Sequence, residues 1–141
     1  MLPFLAFGRD LWVMNANGND ERRFFTYPVA EDCTKYQPDW SPDGTKVVFA
    51  HACLTDASKN GIYVVNADGS GQKRLTTFDE PQPIGPVWSP NGRKVAFTRD
   101  VDGVSDLHVM RADGTNITNI TNTPLADELF PSWQPVKAPS G

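Results

Sequence analysis

Short apolar runs cut by glycine- and proline-bearing turns make up this chain. Phe4-Leu-Ala-Phe7, Val47-Val-Phe49 and Val95-Ala-Phe97 are apolar throughout. Runs this short, bounded by turn residues, predict strands covered on both faces. A second set, Leu11-Trp-Val-Met14, Ile62-Tyr-Val-Val65 and Leu107-His-Val-Met110, is followed each time by an Asn-Gly or Asp-Gly pair. Those pairs predict tight hairpin turns, because glycine supplies the positive φ that such turns require. No segment sustains the 3.6-residue apolar spacing of a helix, so the pattern predicts strands and essentially no helix.

The runs return in a fixed order. Pro38-Asp-Trp-Ser-Pro-Asp-Gly44, Pro86-Val-Trp-Ser-Pro-Asn-Gly92 and the shortened Pro131-Ser-Trp-Gln-Pro135 recur about every 47 residues. Each unit reads as four strands. Strand A carries the Trp, B is the apolar run, C precedes the Asp-Gly turn, and D follows as Arg22–Phe25, Lys73–Thr76 or Ile117–Thr121. Units of 40–50 residues with four short strands are the signature of β-propeller blades. The expected fold is therefore an all-β propeller with three blades per chain. Blade 1 holds strands B to D over 1–28, blade 2 spans 29–77, and blade 3 spans 78–122. A last strand A over 123–136 and a tail over 137–141 complete the chain.

Three blades cannot close a ring, since propellers have about four to eight. A two-fold homodimer would close a six-bladed ring, each last strand A completing blade 1 of its partner and removing the open sheet edge. Half of a longer six-bladed chain would show the same strand order.

Composition adds limits. At 141 residues the length alone suggests one domain, and the repeat revises this to half a propeller. The 12 prolines and 11 glycines fall largely at the hairpins and beside the strand-A tryptophans. With 13 basic and 17 acidic residues the net charge is −4, and no basic stripe is present. Nucleic acid is not an expected partner. No apolar run approaches the ~18 residues of a membrane span, so insertion is not expected either. A basic peptide, a cation or another protein surface suits the balance better.

Catalytic chemistry is thinly represented. His108 aligns with Trp12 and Tyr63 and reads as a packing residue, and His51 ends strand B of blade 2. No Gly-x-Ser-x-Gly elbow and no histidine pair at zinc spacing is present. Asn66–Ser70 faintly resembles a calcium loop, but it recurs as the C–D turn of each unit. Asn116-Ile-Thr118 and Asn119-Ile-Thr121 match the glycosylation acceptor pattern, yet they fall in strand D, where threonine is expected. No enzyme activity is expected.

Acidic pairs precede each strand A: Glu31-Asp32, Asp79-Glu80 and Asp127-Glu128. With strand A innermost, these D–A connections would ring one mouth of the channel, a candidate binding rim. No cofactor is expected beyond the calcium or other divalent ion that such carboxylates would attract. The B–C loops, His51–Asn60 and Arg99–Ser105, share that mouth and vary in length, as recognition loops do. Cys33 and Cys53 are equidistant from Asp43, the centre of the A–B hairpin, so they should emerge opposite each other. A disulfide between them is the expectation, with two free thiols as the alternative.

The pattern Pro-x-Trp-Ser-Pro-Asp-Gly-x-Lys-Val-x-Phe, then Ile-Tyr-Val-Val-Asn-Ala-Asp-Gly-Ser and Lys-Arg-Leu-Thr, resembles the TolB-type (WD40-like) β-propeller repeat. The likeness is close over Gln37–Thr76 and Pro86–Thr121. It implies six blades, a protein or peptide ligand at one mouth, with or without a metal ion, and a periplasmic or secreted location. A disulfide would agree with that location. Met1–Phe7 is apolar but too short for a signal peptide and lacks a basic start, so the chain is expected to stay in the cytoplasm or to start after a removed leader. The reading is a non-catalytic scaffold. The alternatives are the propeller of a lyase or peptidase-like enzyme, or a piece of a longer TolB-like protein.

Overall fold

The computed structural model describes residues 10–24, 32–76, 83–122 and 129–135 in full and residues 2–6 as backbone. It is all-β, as the period and turns predict. β1 (Leu2–Ala6), β2 (Asp10–Met14) and β3 (Arg22–Arg23) form one antiparallel sheet. β4 (Cys33–Trp40), β5 (Lys46–Cys53), β6 (Gly61–Asn66) and β7 (Lys73–Arg74) form a second. β8 (Ile84–Trp88), β9 (Lys94–Val101), β10 (Val104–Arg111) and β11 (Thr118–Asn119) form a third. Strand order follows chain order in all three, the meander of a propeller blade. The one departure from strand among these elements is a single 3₁₀ turn at Ala57–Lys59.

The apolar runs are apolar because both faces of the middle sheet are covered. Successive side chains of β5 point to opposite faces. Val47 and Phe49 join Leu11, Val13 and Phe24 of the first sheet, with Val65 of β6. Val48 and Ala50, with Ile62, Val64 and Leu75, meet Trp88, Val95, Phe97 and Met110 of the third sheet. Each large side chain so buried contributes roughly 1.5–3 kcal/mol by leaving water.

Among the described residues the far side of the third sheet is only partly covered, with Trp133 lining a groove beside Val109 and Ile120. Repeat alignment matches Ile62, Val64 and Leu75 to Leu107, Val109 and Ile120. The first three are 0%, 7% and 7% exposed. Leu107 and Val109 are only half-buried, and Ile120 is 55% exposed.

Strand A has a recurrent irregularity. Gln37, Gly85 and Phe130, each preceding a proline, all take positive φ, at 52°, 62° and 57°. In β4 and β8 this is a bulge: the register shifts between Tyr36 and Asp39, and again between Ile84 and Val87. Side chains then bind the neighbouring blade's backbone. Gly85 N–H donates to Gln37 Oε1 at 2.7 Å, and Trp88 N–H to Asp39 Oδ2 at 2.7 Å. β4 and β8 are thereby held side by side as the innermost strands.

A closing strand was expected over 123–136. Residues 123–128 and 136 lie outside the described residues, and 129–135 form no ladder. They were expected to complete blade 1 of a second copy. The segment lies instead against β8, where Trp133 Nε1–H donates to the Val87 carbonyl at 3.1 Å.

The Asp-Gly turns are built alike. Asp68 Oδ1 accepts from Ser70 N–H and Oγ–H, and Asp113 Oδ1 from Thr115 N–H and Oγ1–H. These hydroxyl and amide donors hold both carboxyls below the usual range. Asp43, which accepts from Ser41 and Thr45, is held at about 2. The loop that resembled a calcium site is thus occupied by its own donors.

Gly18 and Gly114 hold equivalent turn positions in different surroundings. Both have positive φ, 82° and 88°. A Cβ on Gly18 would meet nothing within 4 Å, whereas one on Gly114 would lie 2.5 Å from the Leu75 carbonyl oxygen. Gly18→Ala should cost only backbone strain, about 1–2 kcal/mol. Gly114→Ala should cost a further ~1–3 kcal/mol, because the second and third sheets must separate. Urea melts of the two variants check this; equal losses would show that blade contact adds nothing at Gly114.

Candidate functional site

At the end of the second sheet opposite its Asp-Gly turn, the B–C loop meets Asp32, which leads into β4. Of the predicted acidic rim, Asp32 is described, while Glu31, Asp79, Glu80, Asp127 and Glu128 lie outside the described residues. The Asp32 carbonyl accepts from Leu54 N–H at 3.0 Å, which sets the D–A connection directly against the B–C loop of the same blade.

That loop, residues 54–60, is tightly tied down. Asp56 accepts from Ser58 N–H and Oγ–H, and pairs with Lys59 at 3.9 Å. The Ser58 bonds, together with Lys59, hold the Asp56 carboxyl below its ordinary value. The Arg74 guanidinium donates to the Ser58 and Asn60 carbonyls at 2.6 and 2.5 Å. Tyr63 O–H donates to the Lys59 carbonyl at 2.8 Å, and Cys53 N–H to Asn60 Oδ1 at 2.7 Å. A loop with its polar groups so occupied presents a fixed shape. At its head Leu54 is 81% exposed, beside Asp32.

Beneath this loop sits a buried polar cluster. Cys33 and Cys53 are directly opposite in the β4–β5 ladder and are joined as a disulfide. His51 shares their face of the sheet, with Nε2 3.9 Å from Cys53 Sγ and Nδ1 3.2 Å from the Lys59 carbonyl. Its ring stands edge-on to Tyr63. Lys35, opposite His51 in the ladder, is 1% exposed, and its Nζ lies 3.8 Å from Asp10 Oδ1 of the first sheet. Asp10 also meets Arg23 at 3.3 Å. The expectations for His51 and the cysteines did not join them. The signal was available: residues 51 and 53 of one strand must share a face.

The corresponding connection of the third sheet differs from expectation. Arg99–Ser105 was expected to be a loop, but the β9–β10 ladder runs through to Val101 and Val104. The reversal needs only Asp102-Gly103, whose φ values of 55° and 84° are those of a tight two-residue turn. Asp100 Oδ1 braces it by accepting from Gly103 N–H at 2.8 Å.

His108 is 4% exposed and stacks on Phe97 at 5.7 Å, much as Tyr63 stacks on Phe49 at 5.9 Å. The histidine thus fills an aromatic packing position. Sequence reasoning did not foresee the grooves at the opposite end of the blades. One, of about 670 Å³, lies between the first two sheets and is lined by Arg22, Trp40, Pro42 and Asp68 among others.

Comparison with known proteins agrees with the architecture. No protein-family model matches the chain. An uncharacterized protein of Agrobacterium fabrum is 30% identical over 113 residues, covering 80% of this chain and 36% of that protein. The Tol-Pal system protein TolB of Anaeromyxobacter dehalogenans is 34% identical over 106 residues, covering 74% of this chain and 23% of that one. Among solved structures, a TolB candidate from Agrobacterium tumefaciens superimposes with a TM-score of 0.76 at 25% identity, over 92% of this chain and 43% of that one. The chain spans less than half the length of each.

Burial pushes His108 below its ordinary value of 6.5, the Arg99 charge acts the same way, and the Asp106 carbonyl and carboxylate oppose both. The unfolded imidazole therefore takes up a proton before the folded one. Stability should be full above about pH 6.5 and should fall as the pH drops below it. His108→Tyr, which installs the residue of the second sheet, should remove this dependence from thermal melts between pH 7.5 and about 5. An unchanged pH profile in the variant would assign the dependence to other groups.

Proposed function

Because this chain belongs to the TolB-type β-propeller repeat family, we propose that it is a non-catalytic scaffold that binds a protein or peptide at one mouth of a propeller channel. The observation that carries this reading is the braced 54–60 loop, which holds exposed Leu54 beside Asp32. A rigid scaffold presenting a fixed apolar residue among carboxylates suits a basic ligand with apolar side chains. The histidines, engaged in packing against Phe97 and Tyr63, support a binding role over a catalytic one.

The ring is completed by a second copy of the chain. The half-covered row Leu107, Val109 and Ile120 supports this, since equivalent residues in the other sheets are buried by a following blade. Six blades would then bring the carboxylates of Glu31, Asp32, Asp79, Glu80, Asp127 and Glu128 to the rim twice over, where a divalent ion such as calcium would join the ligand. The TolB relatives and the Cys33–Cys53 disulfide support a periplasmic or secreted location.

Light scattering after gel filtration should give twice the chain mass of 15.6 kDa. A monomer would overturn the ring. A labelled oligolysine peptide interrupted by leucine should bind with strong salt dependence. The double variant Leu54→Ser, Asp32→Asn should weaken it by roughly ten-fold or more, as loss of an anchor residue and a rim charge does. Undiminished binding by that variant would remove this mouth as the site.

A further inference from the structure

The disulfide cluster holds the donor set of a metal site. Cys33 Sγ, Cys53 Sγ and a His51 ring nitrogen lie within 4.8 Å of one another, and all three residues are buried. We propose that, once the disulfide is reduced, these three atoms bind one zinc ion, with water as the fourth ligand. Two thiolates and an imidazole are the set that zinc favours in tetrahedral geometry.

The histidine is already set for this. A carbonyl only accepts, so His51 Nδ1 carries the proton donated to Lys59 O, and Nε2 is left as the lone-pair nitrogen. Nε2 faces Cys53 Sγ at 3.9 Å. With Zn–S near 2.3 Å and Zn–N near 2.0–2.1 Å, a tetrahedral S–N edge is about 3.5 Å, so this pair needs only a few tenths of an ångström. A backbone carbonyl on the far ring nitrogen is the usual outer partner of a zinc-bound histidine, fixing tautomer and ring plane together. The Asn60 side chain holds the Cys53 backbone in place. The motion required is a parting of the two sulfurs, after the disulfide is reduced, to about 3.7 Å, the S–S edge of the same tetrahedron.

The chemistry balances in two steps. A phosphine reductant and one water convert the disulfide to two thiols: the phosphine takes the oxygen and becomes its oxide, and the two sulfurs gain two electrons and two protons. Zinc(II) then displaces both thiol protons to the buffer without any change of oxidation state. Bound zinc clamps the same end of the β4–β5 hairpin that the disulfide clamps.

Cobalt(II) in place of zinc gives the readout. Titrated into the full chain reduced by the phosphine, it should produce a sulfur-to-cobalt charge-transfer band and the strong visible bands of a four-coordinate centre. These should saturate at one metal per chain and bleach on adding zinc. The oxidised chain should give neither, and equal binding there would overturn the site. His51→Phe, checked for an intact fold while oxidised, should weaken cobalt binding by roughly ten-fold or more and alter the visible bands. An unchanged spectrum would overturn the histidine's role as ligand. Circular dichroism covers the case in which reduction unfolds the chain. Zinc should then restore the strand signal, because binding and folding are coupled, and failure to restore it would overturn the proposal.

Discussion

Because β5 sends Val47 and Phe49 into one interface and Val48 and Ala50 into the other, neither face of the middle sheet can be uncovered without exposing core. This two-sided burial fixes the spacing of the three sheets. It also explains why the strand carries no alternation of polar and apolar residues. The neighbouring sheets inherit their orientation from it, since each has one face already committed. The third sheet keeps the same residue types on its far face as the second, but not the same burial, and so remains an unfinished interface.

Polar groups do the aligning that apolar packing leaves loose. Hydrophobic contact between sheets tolerates sliding, whereas a side-chain acceptor on a particular amide does not. Asp39 and Gln37 set the second sheet against the third, and the buried Lys35 ammonium meets Asp10 of the first. These links are unevenly distributed. The residue matching Asp39 in the third sheet is Val87, whose side chain offers no acceptor, and there Trp133 Nε1–H donates to the Val87 backbone carbonyl instead. Burial pushes the Asp39 carboxyl upward despite its amide donors, a sign of how far from water this alignment contact sits.

The all-β class, the strand meander and the hairpin centres were legible because they rest on local rules: turn glycines, apolar runs and a fixed period. Counting from Asp43 reached the opposition of Cys33 and Cys53, but the ladder beside the turn pairs Trp40 with Val47, and it is the bulge between Tyr36 and Asp39 that brings the two cysteines into line. The His51 contact needed one further step, the two-residue period of a strand. Contacts between blades were not legible. Nothing about Gln37 or Lys35 in the sequence says that a neighbouring sheet supplies the partner. The reach of the β9–β10 ladder was also hidden, since Asp102-Gly103 could equally close a tight turn or sit within a longer loop. Of the acidic rim, only Asp32 lies within the described residues.

The bulge in strand A limits how such an arc can associate. A sheet edge normally recruits other chains by offering a row of free amides. Along β8 that row is broken. Pro86 has no N–H, Gly85 N–H is bound by Gln37, and Trp88 N–H is bound by Asp39. An incoming strand would find too few donors to register against. Growth by continuous strand addition, the route to fibres, is blocked at the inner edge, and the open face of the third sheet is left to join other surfaces through its side chains. Association of that kind would end once the faces are covered, so the bulge favours bounded assembly over open growth.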